Sequence, residues 1–560
     1  MILIITKTYF KVNLKQKLFV CILLMCYFSN AQQSIYFPPV PKDSTKKKKI
    51  EIIRTDSLLY QTMELGKYRK LIGNVILSHD NSTMYCDSAL IDIEANYMTA
   101  FGKQVHISQG DSVDVWGNFL EYFGDQKLGR LTGMCSMRDH TMILTSPELN
   151  YNMETDVGNY MSGGRVVSKE TTITSAIGYF YHKTSTALFY GDVILSSPER
   201  TIYADSLRYN TEKEIAYFIT KTTIIDKKDS SVIVTNDGYY DTKNERAFFG
   251  KNAVIKKENT TIKAEKIDYN NKTKQATAQG NAMVEDSVIR TTILSNYIYS
   301  DENTSYMKAY KDPLMITVSE DEKDTMYLSA DTLLSYKTLD TDTVLNGTDS
   351  VKIVTAYYTM KMIQGKMSAI ADSLFYSEKD SIFKLYINPV MWMDSTQITG
   401  DSIYLYTKNK EIDKVDIFGN AFVINLQDEN IYNQIKGKFI QAFISNKKIT
   451  KIEVDGNAES IYFIKDKDKY TGANKSSSAL ITVSFNNGEV NRIKLNGGPE
   501  AVFTPMKKIN LETYKLDGFK WYGEKQPLTK YDVIRDKSQY EKYVAEQPEK
   551  KLIQNTDIKE

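Results

Sequence analysis

The residues that could do chemistry are few and widely spaced. The four histidines are His79, His106, His140 and His182, and none falls in an H-x-H or H-E-x-x-H pattern. A zinc or other metal site needs several such ligands converging on one point, so the spacing argues against a metal centre. Asp and Glu total 70, but most sit beside Asn and Gly, where turn chemistry accounts for them. A pair of carboxylates placed for glycoside hydrolysis could lie among them, since some β-helices are carbohydrate-active enzymes; nothing in the spacing singles out a pair. There is no G-x-S-x-G, no P-loop, and no G-x-G-x-x-G between a strand and a helix. The residues therefore point away from an enzyme, and no cofactor is expected.

The elements that would position any site read as strands. From about 51 to 505 the chain is a succession of short period-2 alternations split by Gly, Asn and Asp, with no long stretch of 3.6 periodicity. Tyr is abundant at 39, whereas Pro is scarce at 11. Tyr, like the plentiful Ile, Thr and Val, suits a pleated, half-buried surface.

The alternations also repeat. GNVILSHDNSTMYCDSALID at 73–92 is echoed by GDVILSSPERTIYADSLRYN at 191–210 and GKNAVIKKENTTIKAEKIDYN at 250–270. Gly-led turns recur at Gly73, Gly102, Gly163, Gly191, Gly250, Gly280 and Gly419, with steps such as 29, 28 and 30 residues. A second block, A-D-S or A-E-K followed by an apolar residue and often Tyr, lies between them at Ala204–Tyr209, Ala264–Tyr269 and Ala371–Tyr376. Each period is expected to hold three or four short strands, with Asp205 and Ser206 at the start of one. A single period cannot cover its own apolar face, but stacked periods can.

Alternation sets the expected inner face. Val193 and Leu195 share a side, as do Leu207 and Tyr209, while Ile194 and Arg208 point away. The same reading over other periods gives Val75, Leu77, Val105, Ile107, Val254, Ile267, Tyr269, Val284, Leu374, Tyr376, Ile403, Leu405 and Val423 as inner ribs. These ribs fit either a closed, dry core or an open groove. The Ser and Thr mixed among them are what a widening groove tolerates.

The ends differ from the middle. Residues 1–17 carry Lys7, Lys11, Lys15 and Lys17 and no acid, followed by the apolar run LFVCILLMCYF and the small residues Ser29-Asn30-Ala31. That is the pattern of a secretory signal peptide over residues 1–31. Its removal takes four Lys and no acid, leaving 67 basic residues against 70 acidic, so no basic excess remains to recruit nucleic acid. Residues 32–50, with PPVPKDSTKKKK, read as a linker. Cys86 and Cys135 are the cysteines left, which is too few for a disulfide scaffold and leaves one bridge as an option. Residues 511–560 carry Tyr514, Phe519, Trp521 and Tyr522 and then turn charged, as a cap and tail would. They lack the series of amphipathic strands of a membrane barrel.

The recurring G-N-V/G-D-V, alternation, A-D-S/A-E-K, L/I-x-Y block resembles the OstA/LptA family of lipopolysaccharide-transport proteins. The likeness is clearest from about 55 to 300 and looser to about 500; the length is that of a long OstA-like form without a C-terminal barrel. The resemblance implies an all-β fold: an elongated, V-shaped jelly roll of stacked antiparallel strands with repeats of about 28–32 residues. It divides the chain into an OstA/LptA-like domain at 51–240 and continuing repeats at 241–510. It implies a periplasmic protein, with the outer membrane as destination, whose inner ribs hold the acyl chains of lipopolysaccharide or a similar multi-acyl lipid. It also implies joining by end-to-end strand addition to other jelly-roll transport proteins or to another copy of the chain. A structural or partner-binding β-solenoid of the envelope is the alternative, with a carbohydrate-active β-helix behind it.

Overall fold

The computed structural model describes residues 48–63, 66–319, 324–339, 350–408, 411–445, 448–467, 469–486 and 489–547. The segments read from the sequence as a signal peptide and, for the most part, as a linker lie outside the described residues. From Ile50 onward the chain is one unit. It is all-β: strands from Glu51–Arg54 to Glu500–Pro505 join in one sheet, each antiparallel to its neighbours. Most connections are tight hairpin turns, so the sheet is a long meander whose period-2 side chains alternate between two faces.

The sheet is folded along a line that crosses its long strands near their middles. In the strand Gly66–His79 the register with Ser82–Asp92 slips between Ile72 and Val75. The same slip recurs between Tyr190 and Val193, Gln279 and Ala282, and Phe418 and Ala421. Each slip holds two residues in the left-handed region, such as Gly73 and Asn74 or Gly191 and Asp192. Gly and Asn or Asp tolerate that conformation best, which is why the repeat spells G-N and G-D there. At Gly73 a Cβ would also lie 2.4 Å from the Asp56 carboxylate. The recurrent acid of the second block fixes this corner. Asn74 donates to Asp56 at 2.7 Å, Asn281 to Glu265 at 2.6 Å and Asn420 to Asp401 at 3.0 Å.

Two sequence expectations change as a result. The Gly-led motif marks a mid-strand corner, not a turn between strands. Asp205 and Ser206 likewise stand in the middle of Arg200–Asn210, not at a strand start. One period is two bent strands, some of which break at the corner into separate halves.

The corner makes two arms whose inner faces meet. One apolar cluster runs between them from Ile50 to Val483. The ladder passes through residue 240 without a gap, because Asp237–Asp241 pairs on both sides, with Ile215–Phe218 and Arg246–Lys257.

After Pro505 the chain turns back along the outer face of the sheet. Leu516, Phe519 and Trp521 pack on Phe422, Ile424, Ile431 and Phe463. Two short helices follow, α1 (Lys530–Val533) and α2 (Lys537–Glu546). Val533, Ile534 and Tyr540 cover Met283, Leu294, Leu314 and Tyr327. Polar ties pin this return: Gln397 holds Lys520 and Tyr522, Arg535 meets Asp331, and Gln539 donates to the carbonyls of Ala282 and Ser295. Among the described residues no helix is long and apolar enough to cross a membrane.

Candidate functional site

The interior between the two arms is the candidate site, and the sequence-derived ribs line it with one exception. Val75, Leu77, Val105, Ile107, Val193, Leu195, Leu207, Tyr209, Ile267, Leu374, Ile403, Leu405 and Val423 are buried in the interior cluster. Val284 and Tyr376 are half-buried against it, and Tyr269, half-buried, shares their side. Val254 is the exception. In G-K-N-A-V the corner pair is Lys251-Asn252, so Ala253 takes the inner position that Val193 holds in G-D-V. Val254 is thereby turned to the outer face, pairing with Lys263, whose ammonium reaches Glu546 of α2 at 3.2 Å. The corner pair follows Gly250 instead of including it, and this shift by one residue reverses the parity of Val254.

The interior has two sections of different character. In the first, up to Phe249, an aromatic ladder fills the space between the arms. Tyr122, Tyr151, Phe180, Tyr209, Tyr240 and Tyr269 follow one another at 29 residues, with a single step of 31. Each faces Gly129, Gly158, Ala187, Ala216, Ala247 or Ala276, seven residues on. A ring in every second strand and a Cβ-poor residue in the next let the rings stack down the interior without collision. Gly158 shows the fit, since a Cβ there would stand 2.9 Å from the Met137 sulfur.

The phenols reach from their own arm to the polar turns of the other. The Tyr122 hydroxyl lies 2.6 Å from His79 Nδ1, Tyr151 donates to Gln109 Oε1 at 2.7 Å, and Tyr240 to Glu199 at 3.4 Å. The Arg200 guanidinium, itself buried, sits 4.5 Å over the Tyr240 ring and bonds Asp226 at 3.1 Å. Burial pushes the Tyr240 and Tyr269 phenols up to about 12 and raises those of Tyr122, Tyr151 and Tyr209.

A row of polar pairs outside the ladder closes the seam where the turns of the two arms meet. Lys127 pairs with Asp80 at 2.8 Å, Gln109 donates to Asp156 at 2.6 Å, and Thr141 to Thr211 at 3.0 Å. His182 lies 3.3 Å from Asp139, and Lys169 pairs with Glu214. Two of the four histidines thus belong to this closure. His106 is stacked between Tyr85 and Trp116 on the outer face, 2.8 Å from Asp114, and His140 lies in an exposed turn. Among the described residues no group of three or more His, Cys, Asp or Glu could hold a metal ion.

Beyond Phe249 the interior changes. The seam-side residues Leu77, Ile107, Met137 and Leu195 of the first section are at most 1% exposed, whereas their successors Ile255, Ile262 and Val284 are half-exposed; Ile293, Met315, Leu328 and Met362, next in the same register, are buried again. The Tyr269 hydroxyl bonds Asn271 of its own arm, and the ladder position then passes to Ser300 and Ser335 before rings return at Tyr376 and Phe383. Interior positions held earlier by Phe189, Phe218 and Phe249 are taken by Ala278, Ala309 and Ala356. From Met307 to Met393, eight methionines face this interior, four buried and four half-buried.

The ladder is what the sequence reading missed. It named Tyr209 and Tyr269, but the constant spacing of an aromatic followed seven residues later by Gly or Ala was the available signal. Cys86 and Cys135 are free thiols, both buried. Burial pushes Cys86 up to about 12, with the Asp87 charge adding to it, and Cys135 up to about 11.

Comparison with known proteins gives matches of two kinds, of different weight. Residues 47–205 and 191–265 match the family described as OstA-like protein. The crystal structure of LptH, the LptA-homologous periplasmic component of the lipopolysaccharide transport device from Pseudomonas aeruginosa, aligns over 25% of this chain and 95% of its own. The identity is 16% and the TM-score 0.20. No curated protein matches. The family match covers the corner-and-rib repeats between residues 47 and 265, so this part of the chain is similar to the OstA-like family.

Proposed function

We propose that this protein is a periplasmic lipid-binding and lipid-transport protein, which holds the acyl chains of lipopolysaccharide or a similar multi-acyl lipid between the two arms of its folded sheet. The observation that carries the reading is the unbroken apolar interior, from Ile50 to Val483, in a chain whose repeat matches the OstA-like family. Each methylene moved from water into such an interior contributes roughly 0.8 kcal/mol, so several chains bind well while sugars and phosphates stay in water. Rib follows rib along the strand ladder, which lets a chain shift by one strand without full exposure. The outer membrane is the destination this reading implies.

The two ends of the ladder support a second part of the proposal. Among the described residues, Ser57–Met63 pairs only with Gly66–His79, and Glu500–Pro505 only with Lys469–Asn486. Exposed apolar residues stand at both ends, Leu59 and Tyr60 at the first and Val502 and Phe503 at the last. Free strand edges of this kind join by adding a strand from a partner. Other jelly-roll transport proteins, or a second copy of the chain, are the partners proposed.

The filled first section favours a structural role for residues 71–249, the alternative reading, and the test keeps the two apart. Fluorescent lipopolysaccharide is titrated into the chain spanning residues 32–560, with Val284→Asp as the comparison. Saturable binding weakened at least tenfold by the substitution supports lipid carriage. A well-folded chain that binds none contradicts it and leaves the structural stack.

A further inference from the structure

We propose that lipid occupies only the second section of the interior, from Ile255 to Met393, and that the first section is a permanently closed stem. This rests on the lipid-binding reading above and names where on the chain it acts.

Three features distinguish the two sections. First, the aromatic ladder bars the stem. Its rings from Tyr122 to Tyr240 are at most 3% exposed, and each sits in a seat of Gly or Ala on the next strand. A hydrocarbon chain could enter only by expelling rings whose hydroxyls are bonded to His79, Gln109 and Glu199 across the gap. Second, the polar pairs Asp80–Lys127, Gln109–Asp156 and Lys169–Glu214 close the seam over those rings. Third, beyond Phe249 the positions of Phe189, Phe218 and Phe249 pass to Ala278, Ala309 and Ala356, and beside the seam Ile255, Ile262 and Val284 are half-exposed.

The occupant follows from the chemistry of this lining. Methionine is unbranched and its thioether is polarizable, so Met307, Met326, Met367 and Met393 can repack around chains of differing length and branching. A peptide would not suit the space. The strands that line it are paired on both sides along the ladder, so inserted amides would find no backbone partners. Acyl chains carry no such groups. The outer face of this section is already covered, since Val533, Ile534 and Tyr540 pack on Met283, Leu294 and Tyr327.

The test uses the unmodified chain, residues 32–560, and a lipopolysaccharide carrying a diazirine near an acyl terminus. After irradiation, adducts are mapped by mass spectrometry. Adducts within 255–393, and at least tenfold fewer within 75–249, are expected. Comparable adducts in the stem would overturn the division. Saturable lipopolysaccharide binding with no adduct in 255–393 would overturn it as well. Absence of both binding and adducts would instead defeat the lipid reading on which it rests. Ala309→Phe supplies a second arm. A ring restored to the second section should cut adducts at least tenfold with the thermal midpoint unchanged, whereas unaltered labelling in a folded variant contradicts the assignment.

Discussion

Tyr151 offers the sharpest test of the ladder. Its ring is 1% exposed, between the seats at Gly129 and Gly158, and its hydroxyl donates to Gln109 Oε1 at 2.7 Å. The Gln109 amide also donates to the Met153 carbonyl at 3.1 Å and to Asp156 at 2.6 Å, so one phenol supports part of the seam. Two substitutions separate the contributions. Tyr151→Phe keeps the ring and leaves the Gln109 oxygen without its donor, which costs about 1–2 kcal/mol. Tyr151→Ala removes the ring from a site that cannot collapse, because both flanking seats already lack side-chain bulk; large buried aromatics truncated in this way cost about 3–5 kcal/mol. Stacked repeats open locally, so the loss should appear in the strands that hold the ring. Hydrogen exchange of peptides spanning 128–160 reads it directly. At about 1.4 kcal/mol per tenfold, protection should fall about 5- to 30-fold in Tyr151→Phe and by two to three and a half decades in Tyr151→Ala. Peptides beyond residue 300 should keep their rates. A fall of less than tenfold in Tyr151→Ala would mean that the ring does not fill the interior, and the ladder argument would be refuted.

Other expectations follow from the same geometry. Gly178→Ala places a methyl 2.4 Å from ring atoms of the fully buried Tyr160, whose hydroxyl is held 2.7 Å from Ser175; the variant should lose about 1–3 kcal/mol in denaturant titration, and an unchanged midpoint would count against the packing. In alkaline titration Tyr240 and Tyr269, raised from 10.0 to about 12 first by burial, stabilise the fold fully below pH 10. That contribution is lost as the pH climbs from 10 to 12. Tyrosinate absorbance should therefore lag behind free phenol and rise together with loss of the β signal, and a simple titration near pH 10 would contradict this. Cys86 and Cys135, buried with raised thiols, should resist a thiol reagent at pH 8 in the folded chain and both react in denaturant; rapid labelling of the folded chain would contradict their placement.

Much of this architecture could be read from local sequence. The alternation in GDVILS and ADSLRY placed Val193, Leu195, Leu207 and Tyr209 inward because a strand's parity is local and the corner costs two residues each time. Where the corner pair shifted, as in Lys251-Asn252, counting from the Gly put Val254 on the wrong face. The Asp of A-D-S looked like a strand start because its real partner, the corner Asn of the following strand, is some 16–19 residues away, as with Glu265 and Asn281 or Asp401 and Asn420. The closure of the seam was hidden for the same reason: Gln109 meets Asp156 and Lys169 meets Glu214 across 47 and 45 residues, a separation that no short motif encodes. The return of the C-terminal segment over the outer face depends on contacts such as Gln539 with Ala282, 257 residues apart, which strand periodicity cannot reveal.

The most direct test of the lipid-carrier account is native mass spectrometry of the protein isolated, without detergent, from the envelope of the cells that make it. The account predicts a population heavier than the polypeptide by the mass of a multi-acyl lipid, which returns to the bare mass when lipid is extracted. A folded chain that arrives only at its polypeptide mass, and stays there after incubation with lipopolysaccharide, would contradict it.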